Sequence, residues 1–159
     1  MKAVSVLISA VLLTAIIVSA IALVLSYGTP LIEQSKGNLL FKEGINNLNT
    51  INNEIRSLVV QGSGSSSSLR LKITDGKYTI NNTSDSITFV FNSALLPAET
   101  NYTEAGIIIS SDGRTIKQEL ILERVDILNY TELTPIRNTI AIKNIGWNNT
   151  INKAMVTVS

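Results

Sequence analysis

The chain has 159 residues, with 13 basic and 12 acidic side chains and neither cysteine nor histidine. Without those two residue types there are no disulfides, thiolate nucleophiles or imidazole bases and few zinc or copper sites, so we expect neither an enzyme nor a metal or other cofactor. A net charge of +1 gives no electrostatic reason to expect a nucleic-acid partner.

The first feature along the chain is an uncharged segment over residues 3–32, in which residues 3–27 are nearly all Val, Leu, Ile and Ala. As a helix, residues 3–27 would extend about 37 Å at about 1.5 Å per residue, which exceeds the hydrocarbon core of about 30 Å. The segment therefore predicts a helix that can span a bilayer.

The residues in front of this segment form a short basic-then-small start, Lys2 and Ala3, followed by Val4 and Ser5. This start resembles the N-terminus of the precursors of archaeal type IV pilins. These pilins are the major subunits of adhesive pili and are related to archaellins. The resemblance implies a leader at residues 1–3, a cut by a membrane prepilin peptidase between Ala3 and Val4, and retention of the apolar segment. Bacterial pilins carry Glu at the fifth mature position, where this chain has Ile8, so the archaeal group is favoured.

Signal-peptide cleavage is the alternative fate of this segment. Ala20 and Ala22 form an Ala-x-Ala site, but the apolar run continues directly past it through Leu23 and Leu25. It is also longer than the apolar region of about 7 to 15 residues found in signal peptides. Retention is therefore the primary expectation.

Small side chains recur along the apolar segment at intervals of 4, 3 and 4 residues. Such spacing places them on one helical face, where small side chains let helix backbones approach closely in an apolar environment. We therefore predict a helix–helix assembly face. It consists of the small residues and one flanking large apolar residue: Leu12, Ala15, Ser19, Ala22 and Ser26.

The helix is predicted over residues 4–60, with an apolar part at 4–27 and an amphipathic part at 31–60. In the second part the apolar residues are spaced 4, 3, 3, 4 and 3 apart, at Phe41, Ile45, Leu48, Ile51, Ile55 and Leu58. The intervening Asn residues, Glu43, Glu54 and Arg56 are expected to face solvent. Gly28 and Pro30 predict a kink between the two parts, with an exit loop as the alternative.

Residues 61–68, rich in Gly and Ser, predict a flexible linker. From residue 69 onward the apolar pattern alternates, and Asp75-Gly76 and residues 111–114 predict hairpin turns. Six or seven short strands over residues 69–159 indicate an antiparallel β-sandwich, which the resemblance also implies, with immunoglobulin-like topology. The predicted fold class is thus α+β, a long N-terminal hydrophobic helix followed by this sandwich.

Five Asn-x-Ser/Thr sequons lie in the domain after the linker, mostly in predicted loops where an oligosaccharyltransferase could reach them. The predicted glycosylation candidates are Asn81, Asn82, Asn101, Asn129 and Asn148. Asn at these positions is also typical of turns.

Together these features predict a structural pilin subunit that polymerises through its apolar helix into an extracellular type IV pilus-like filament for adhesion. Its expected partners are copies of itself, the prepilin peptidase and assembly machinery, the cytoplasmic membrane before assembly, and surfaces or other cells. The alternatives are an archaellin or pseudopilin of a related filament, or a monomeric, membrane-anchored extracellular binding domain.

Overall fold

The computed structural model describes the backbone of residues 2–159 and the side chains of residues 8–159. The described residues form one helix, α1 (Lys2–Gln61), and ten strands. The strands are β1 (Ser66–Arg70), β2 (Lys77–Asn81), β3 (Ser86–Asn92), β4 (Ala98–Glu104), β5 (Ile107–Asp112), β6 (Thr115–Ile121), β7 (Val125–Ile127), β8 (Thr131–Leu133), β9 (Thr139–Asn148) and β10 (Lys153–Val158). The chain divides into two compact units, Met1–Lys36 and Gly37–Ser159.

Helix α1 continues through the Gly28 and Pro30 positions without a loop, so the exit-loop alternative is wrong. Pro30 has no backbone N–H, so one hydrogen bond of the helix is missing there. Neighbouring groups can compensate for that missing donor, and the rest of the helix keeps its internal hydrogen bonds. A kink at these residues stays a prediction.

The C-terminal end of α1 is capped by Gly62 and Ser65, which lie in the segment predicted to be a linker. Gly62 has a φ of 95° and its N–H donates to Leu58 O at 3.2 Å, while Ser65 Oγ donates to the same carbonyl at 2.8 Å. Glycine adopts this left-handed conformation without steric cost, which suits it to end a helix. The linker predicted over residues 61–68 is wrong in its second half, because β1 begins at Ser66 and its backbone pairs with β9.

The strands form two sheets. The first has the order β1-β9-β10-β7 and the second the order β4-β5-β6-β3-β2-β8. The strand pairs are antiparallel except for β10 with β7, which run parallel. The coarse fold prediction, a long apolar helix followed by antiparallel-rich sheets in an α+β fold, is confirmed.

One of the two predicted hairpins forms. The turn over residues 111–114 joins β5 to β6 in an antiparallel pair. The hairpin predicted at Asp75-Gly76 is wrong, because β1 belongs to the first sheet and β2 to the second. Leu71 and Ile73 between these strands are buried as the chain crosses from one sheet to the other, and this burial produces the alternation without any strand pairing.

The core of the second unit includes side chains from α1 as well as from both sheets. The predicted helical stripe is confirmed: Leu48, Ile51 and Ile55 are fully buried, and Phe41 and Ile45 pack partly buried against the same core. Across from them, the Tyr78 and Phe89 rings stack at a centroid distance of 4.2 Å. The second half of α1 is therefore a structural part of the β unit.

Candidate functional site: an exposed apolar helix surface

The first unit presents an apolar helical surface to its surroundings. All of its described residues from 8 onward are exposed except Gly28, which is half-buried. Val24 is 70% exposed and Ile32 is 71% exposed. The helix has a mean hydropathy of 2.8 in its most apolar 18-residue window, none of which is buried, so its length and composition are sufficient to cross a membrane.

The energetic cost of leaving this surface in water is large. Fourteen large hydrophobic side chains between Ile8 and Ile32 are exposed, at about 1.5 to 3 kcal/mol for full burial of each. Since each is already partly covered by its helix neighbours, the cost is on the order of 10 to 20 kcal/mol. That matches or exceeds the net stability of a typical domain, about 5 to 15 kcal/mol. The surface therefore requires an apolar cover, either lipid or protein.

The residues predicted to form an assembly face are all exposed: Leu12, Ala15, Ser19, Ala22 and Ser26. At about 100° per residue the four small ones fall within about 60° of one another around the helix. Ala15 and Ser19 also line a shallow groove along the helix, together with Ala10, Val11, Thr14 and Val18. A second helix could approach this groove more closely than it could the Leu-rich remainder of the surface.

The hydroxyl groups in this groove are satisfied within α1 itself. Thr14 Oγ1 donates to Ala10 O at 2.9 Å, and Ser19 Oγ donates to Ala15 O at 2.8 Å. A hydroxyl moved out of water without a partner costs at least about 1 to 3 kcal/mol. These two hydroxyls avoid that cost, so the groove can be covered by an apolar partner.

In the second unit, polar residues of α1 hydrogen-bond to the segment between β1 and β2 and to Tyr78 in β2. Glu43 accepts hydrogen bonds from the Thr74 N–H at 2.8 Å and from Thr74 Oγ1 at 2.7 Å. Asn47 Nδ2 donates to Lys72 O at 2.7 Å and to Tyr78 Oη at 2.9 Å. Glu43 and Asn47 are buried, so the prediction that they face solvent is wrong. The hydrophobic stripe gave no sign of these contacts, because a polar side chain beside a stripe can lie on either side of its border.

Other polar contacts hold α1 at two further points. Gln118 Nε2 donates to Phe41 O at 2.9 Å, and Asn144 Nδ2 donates to Leu58 O at 3.0 Å near the helix end. Burial raises the pKa of Tyr78, the hydroxyl beside the helix, so it stays a neutral partner of Asn47. These contacts hold the second half of α1 against the β strands of its own chain.

Several surface charges of the β unit form local ion pairs. Lys77 Nζ lies 2.7 Å from Glu132 Oε1, and Tyr130 Oη donates to the same carboxylate. The hydrogen bond from Lys77 lowers the pKa of Glu132, and the same bond raises the pKa of Lys77. Hydrogen bonds from the backbone N–H groups of Arg114 and Thr115 lower the pKa of Asp112 in the β5–β6 turn. These groups stabilise strand pairs and turns and do not converge on a cleft.

The five sequons are spread over several elements. Asn81 ends β2, Asn82 lies in the following turn, Asn101 lies in β4, Asn129 lies between β7 and β8, and Asn148 ends β9. The predicted processing residues, Lys2, Ala3 and Val4, lie outside the part of the chain whose side chains are described. Within the described part, no group of three acidic side chains is placed to hold a metal ion.

Comparisons of this chain with protein families, with curated proteins and with solved structures find no match.

Proposed function

We propose that this protein is the structural subunit of an extracellular filament of the archaeal type IV pilus kind, used for adhesion. The exposed apolar surface of the first unit carries the proposal, because its length, lack of charge and groove of small residues suit packing against identical helices. The resemblance of Lys2, Ala3 and Val4 to a pilin processing site adds support, as does a β unit of the expected class. The immunoglobulin-like topology of that unit belongs to this proposal.

The mechanism is storage in the membrane followed by polymerisation. Lipid covers the apolar helix of the precursor in the cytoplasmic membrane. After the prepilin peptidase has removed the leader, an assembly machine extracts the subunit, and neighbouring helices replace the lipid. Because lipid tails are as apolar as Leu, the driving force for this exchange comes from close packing and from the work of the machine. The finished filament resists dissociation, because a released helix would face water at the cost estimated above.

Helix packing can be tested with a pair of variants that differ only in the helical face they change. Ala22→Phe adds a ring on the small-residue face and should prevent filaments, because overpacking typically costs about 1 to 3 kcal/mol at each repeated contact. Leu23→Phe adds a ring at a neighbouring position already occupied by a large side chain, and should be tolerated far better. Both changes stay apolar, so membrane insertion is preserved.

The measurement is negative-stain microscopy of sheared cell-surface material, with immunoblots of the membrane fraction as the control for insertion. Abundant filaments in the Ala22→Phe variant would contradict assembly through this face. Wild-type cells that hold the protein in the membrane but never form filaments would instead favour a monomeric anchored binding domain. An archaellin or pseudopilin would be distinguished by loss of swimming or of secretion when the protein is deleted.

A further inference from the structure

One of the five sequons is used by the fold itself. Asn129 Oδ1 accepts a hydrogen bond from the Val158 N–H at 2.7 Å, and Asn129 Nδ2 donates to the Val158 carbonyl. Thr131, the hydroxyl residue of the same sequon, donates to that carbonyl at 2.8 Å and is only 6% exposed. Both polar residues of the sequon are therefore occupied by the last strand.

These contacts extend the pairing of β7 with β10. The backbone pairing of the two parallel strands reaches Ile127 and Val156, and the Leu128 N–H donates to Val156 O at 3.0 Å. Beyond that point the Asn129 carboxamide uses its Oδ1 and one of its two N–H groups opposite Val158, as a peptide group would. We call this arrangement of Asn129, Thr131 and Val158 the C-terminal clasp.

Three other sequons have an asparagine whose Nδ2 makes no hydrogen bond among the described residues. Asn82 and Asn101 are exposed, and their side chains make no hydrogen bond among the described residues. Asn148 is half-buried, and its Oδ1 accepts from the Thr150 N–H at 3.0 Å, which leaves its Nδ2 available. The hydroxyl residues of these sequons, Ser84, Thr103 and Thr150, are also exposed.

Asn81 differs from its neighbour Asn82. It is half-buried, pairs with Ser86 at the end of β2, and its Oδ1 accepts from the Thr83 N–H at 2.8 Å, which holds the turn. Asn82 is therefore the more accessible asparagine of this turn.

We propose that Asn82, Asn101 and Asn148 carry N-linked oligosaccharides and that Asn129 does not. The inference rests on the proposed function, because that function places the β unit outside the membrane, where a lipid-linked oligosaccharide and its transferase act. In the transfer, the Asn Nδ2 forms a bond to C1 of the first sugar, while the bond from C1 to the phosphate oxygen of the lipid carrier breaks. The electron pair of that bond leaves with the lipid phosphate, and a base of the transferase takes one carboxamide proton.

The clasp explains why Asn129 is excluded. A folded chain withholds both Nδ2 and the Thr131 hydroxyl from the transferase. A sugar attached before folding would replace one of the two amide hydrogens and crowd Val158, so the clasp could not close in its native form and the modified chain would fold to a less stable state. The sequence pattern is the same at all four locations, and only the structure separates them.

The test uses full-length protein purified from the organism that makes it, digested so that each sequon lies in a separate peptide, with mass spectrometry of each peptide. Sugar mass is expected on the peptides that hold Asn82, Asn101 and Asn148, with none on the peptide that holds Asn129. A sugar on Asn129 in folded protein, or unmodified peptides throughout, would overturn the inference.

A matched pair of variants separates the roles. Asn101→Gln should lose the mass of one sugar chain with little change in the denaturation midpoint of deglycosylated protein. Asn129→Gln should lose no sugar mass but should unfold at a clearly lower denaturant concentration, because the longer side chain cannot keep both bonds to Val158. Equal midpoints for the two variants would refute the clasp.

The two proposals fail separately. Filaments built from unmodified subunits would remove the glycan inference and leave the filament standing. The expected sugar pattern on a protein that never polymerises would do the reverse.

Discussion

At Gly44, α1 lies very close to the sheet that contains β3 and β6. A Cβ built on Gly44 would overlap Gln118 Oε1 and would lie 2.9 Å from Phe89 Cε1. The buried Gln118 Oε1 has no hydrogen-bond partner among the described residues, and it is the atom that faces the space Gly44 leaves. Glycine lowers helix stability by roughly 1 kcal/mol relative to alanine, so its presence here reflects close packing.

Gly44→Ala is therefore expected to destabilise the second unit, despite the better helix propensity of alanine. Overpacking against Phe89 and Gln118 should cost about 1 to 3 kcal/mol. Asn53→Ala, on the exposed side of the same helix, is the matched control and should be neutral or slightly stabilising. Urea denaturation of both variants measures the difference, and a Gly44→Ala variant as stable as the control would show that this contact is loose.

At the scale of elements, the second half of α1 joins the apolar helix to the β unit. It is continuous with the apolar helix, and it supplies Leu48, Ile51, Ile55 and Leu58 to the core of the β unit. Loss of each such side chain from a core typically costs about 2 to 5 kcal/mol, so loss of all four, about 8 to 20 kcal/mol, is comparable to or larger than the stability of an ordinary domain.

Truncation tests this dependence. A chain over Gly37–Ser159 should fold as a water-soluble unit, because it keeps the whole core and loses only the exposed apolar helix. A chain over residues 69–159, the sandwich boundary that composition suggests, should fail to fold, because it lacks those helix side chains and most of β1. Far-UV circular dichroism with thermal melts compares the two, and a cooperative melt of the shorter chain would contradict the assigned core.

The elements that the sequence predicts well are those whose pattern has one cause. The stripe from Phe41 to Leu58 and the β5–β6 hairpin are set by local periodicity and turn residues, and both appear as expected. The Asp75-Gly76 hairpin fails because Leu71 and Ile73 alternate for burial alone. Strands β7 and β8, of three residues each, are too short for a period to register.

The candidate site divides in the same way. The apolar surface of the first unit is readable from composition, because no charged residue occurs in the sequence of residues 3–32. Burial of Glu43 and Asn47, and the use of Asn129 as a clasp, depend on residues distant in sequence such as Thr74, Lys72 and Val158. Such pairings are set by tertiary contacts, which local pattern does not contain.

At the scale of the whole molecule, the proposed function requires one chain to suit two surroundings in succession, lipid and then identical subunits. The uncharged surface is compatible with both surroundings, but a charged residue at its start is compatible only with the membrane. A lysine at the end of a membrane helix can extend its ammonium group to the membrane surface. In a dry bundle of helices the same ammonium group would cost at least a few kcal/mol per subunit. Removal of residues 1–3 would eliminate this cost before assembly.

Filament subunits are accordingly expected to begin at Val4. N-terminal sequencing of sheared surface material, with the intact mass of the same sample, measures this directly. Ala3→Leu should block the cut by replacing the small residue before it, so the precursor should accumulate in the membrane and filaments should be absent. A mature start at Leu23, after Ala22, would instead mean that most of the apolar surface is discarded as a signal peptide. Filament assembly through that surface would then be impossible, because the residues that line the groove, including Ala15 and Ser19, would no longer be part of the protein.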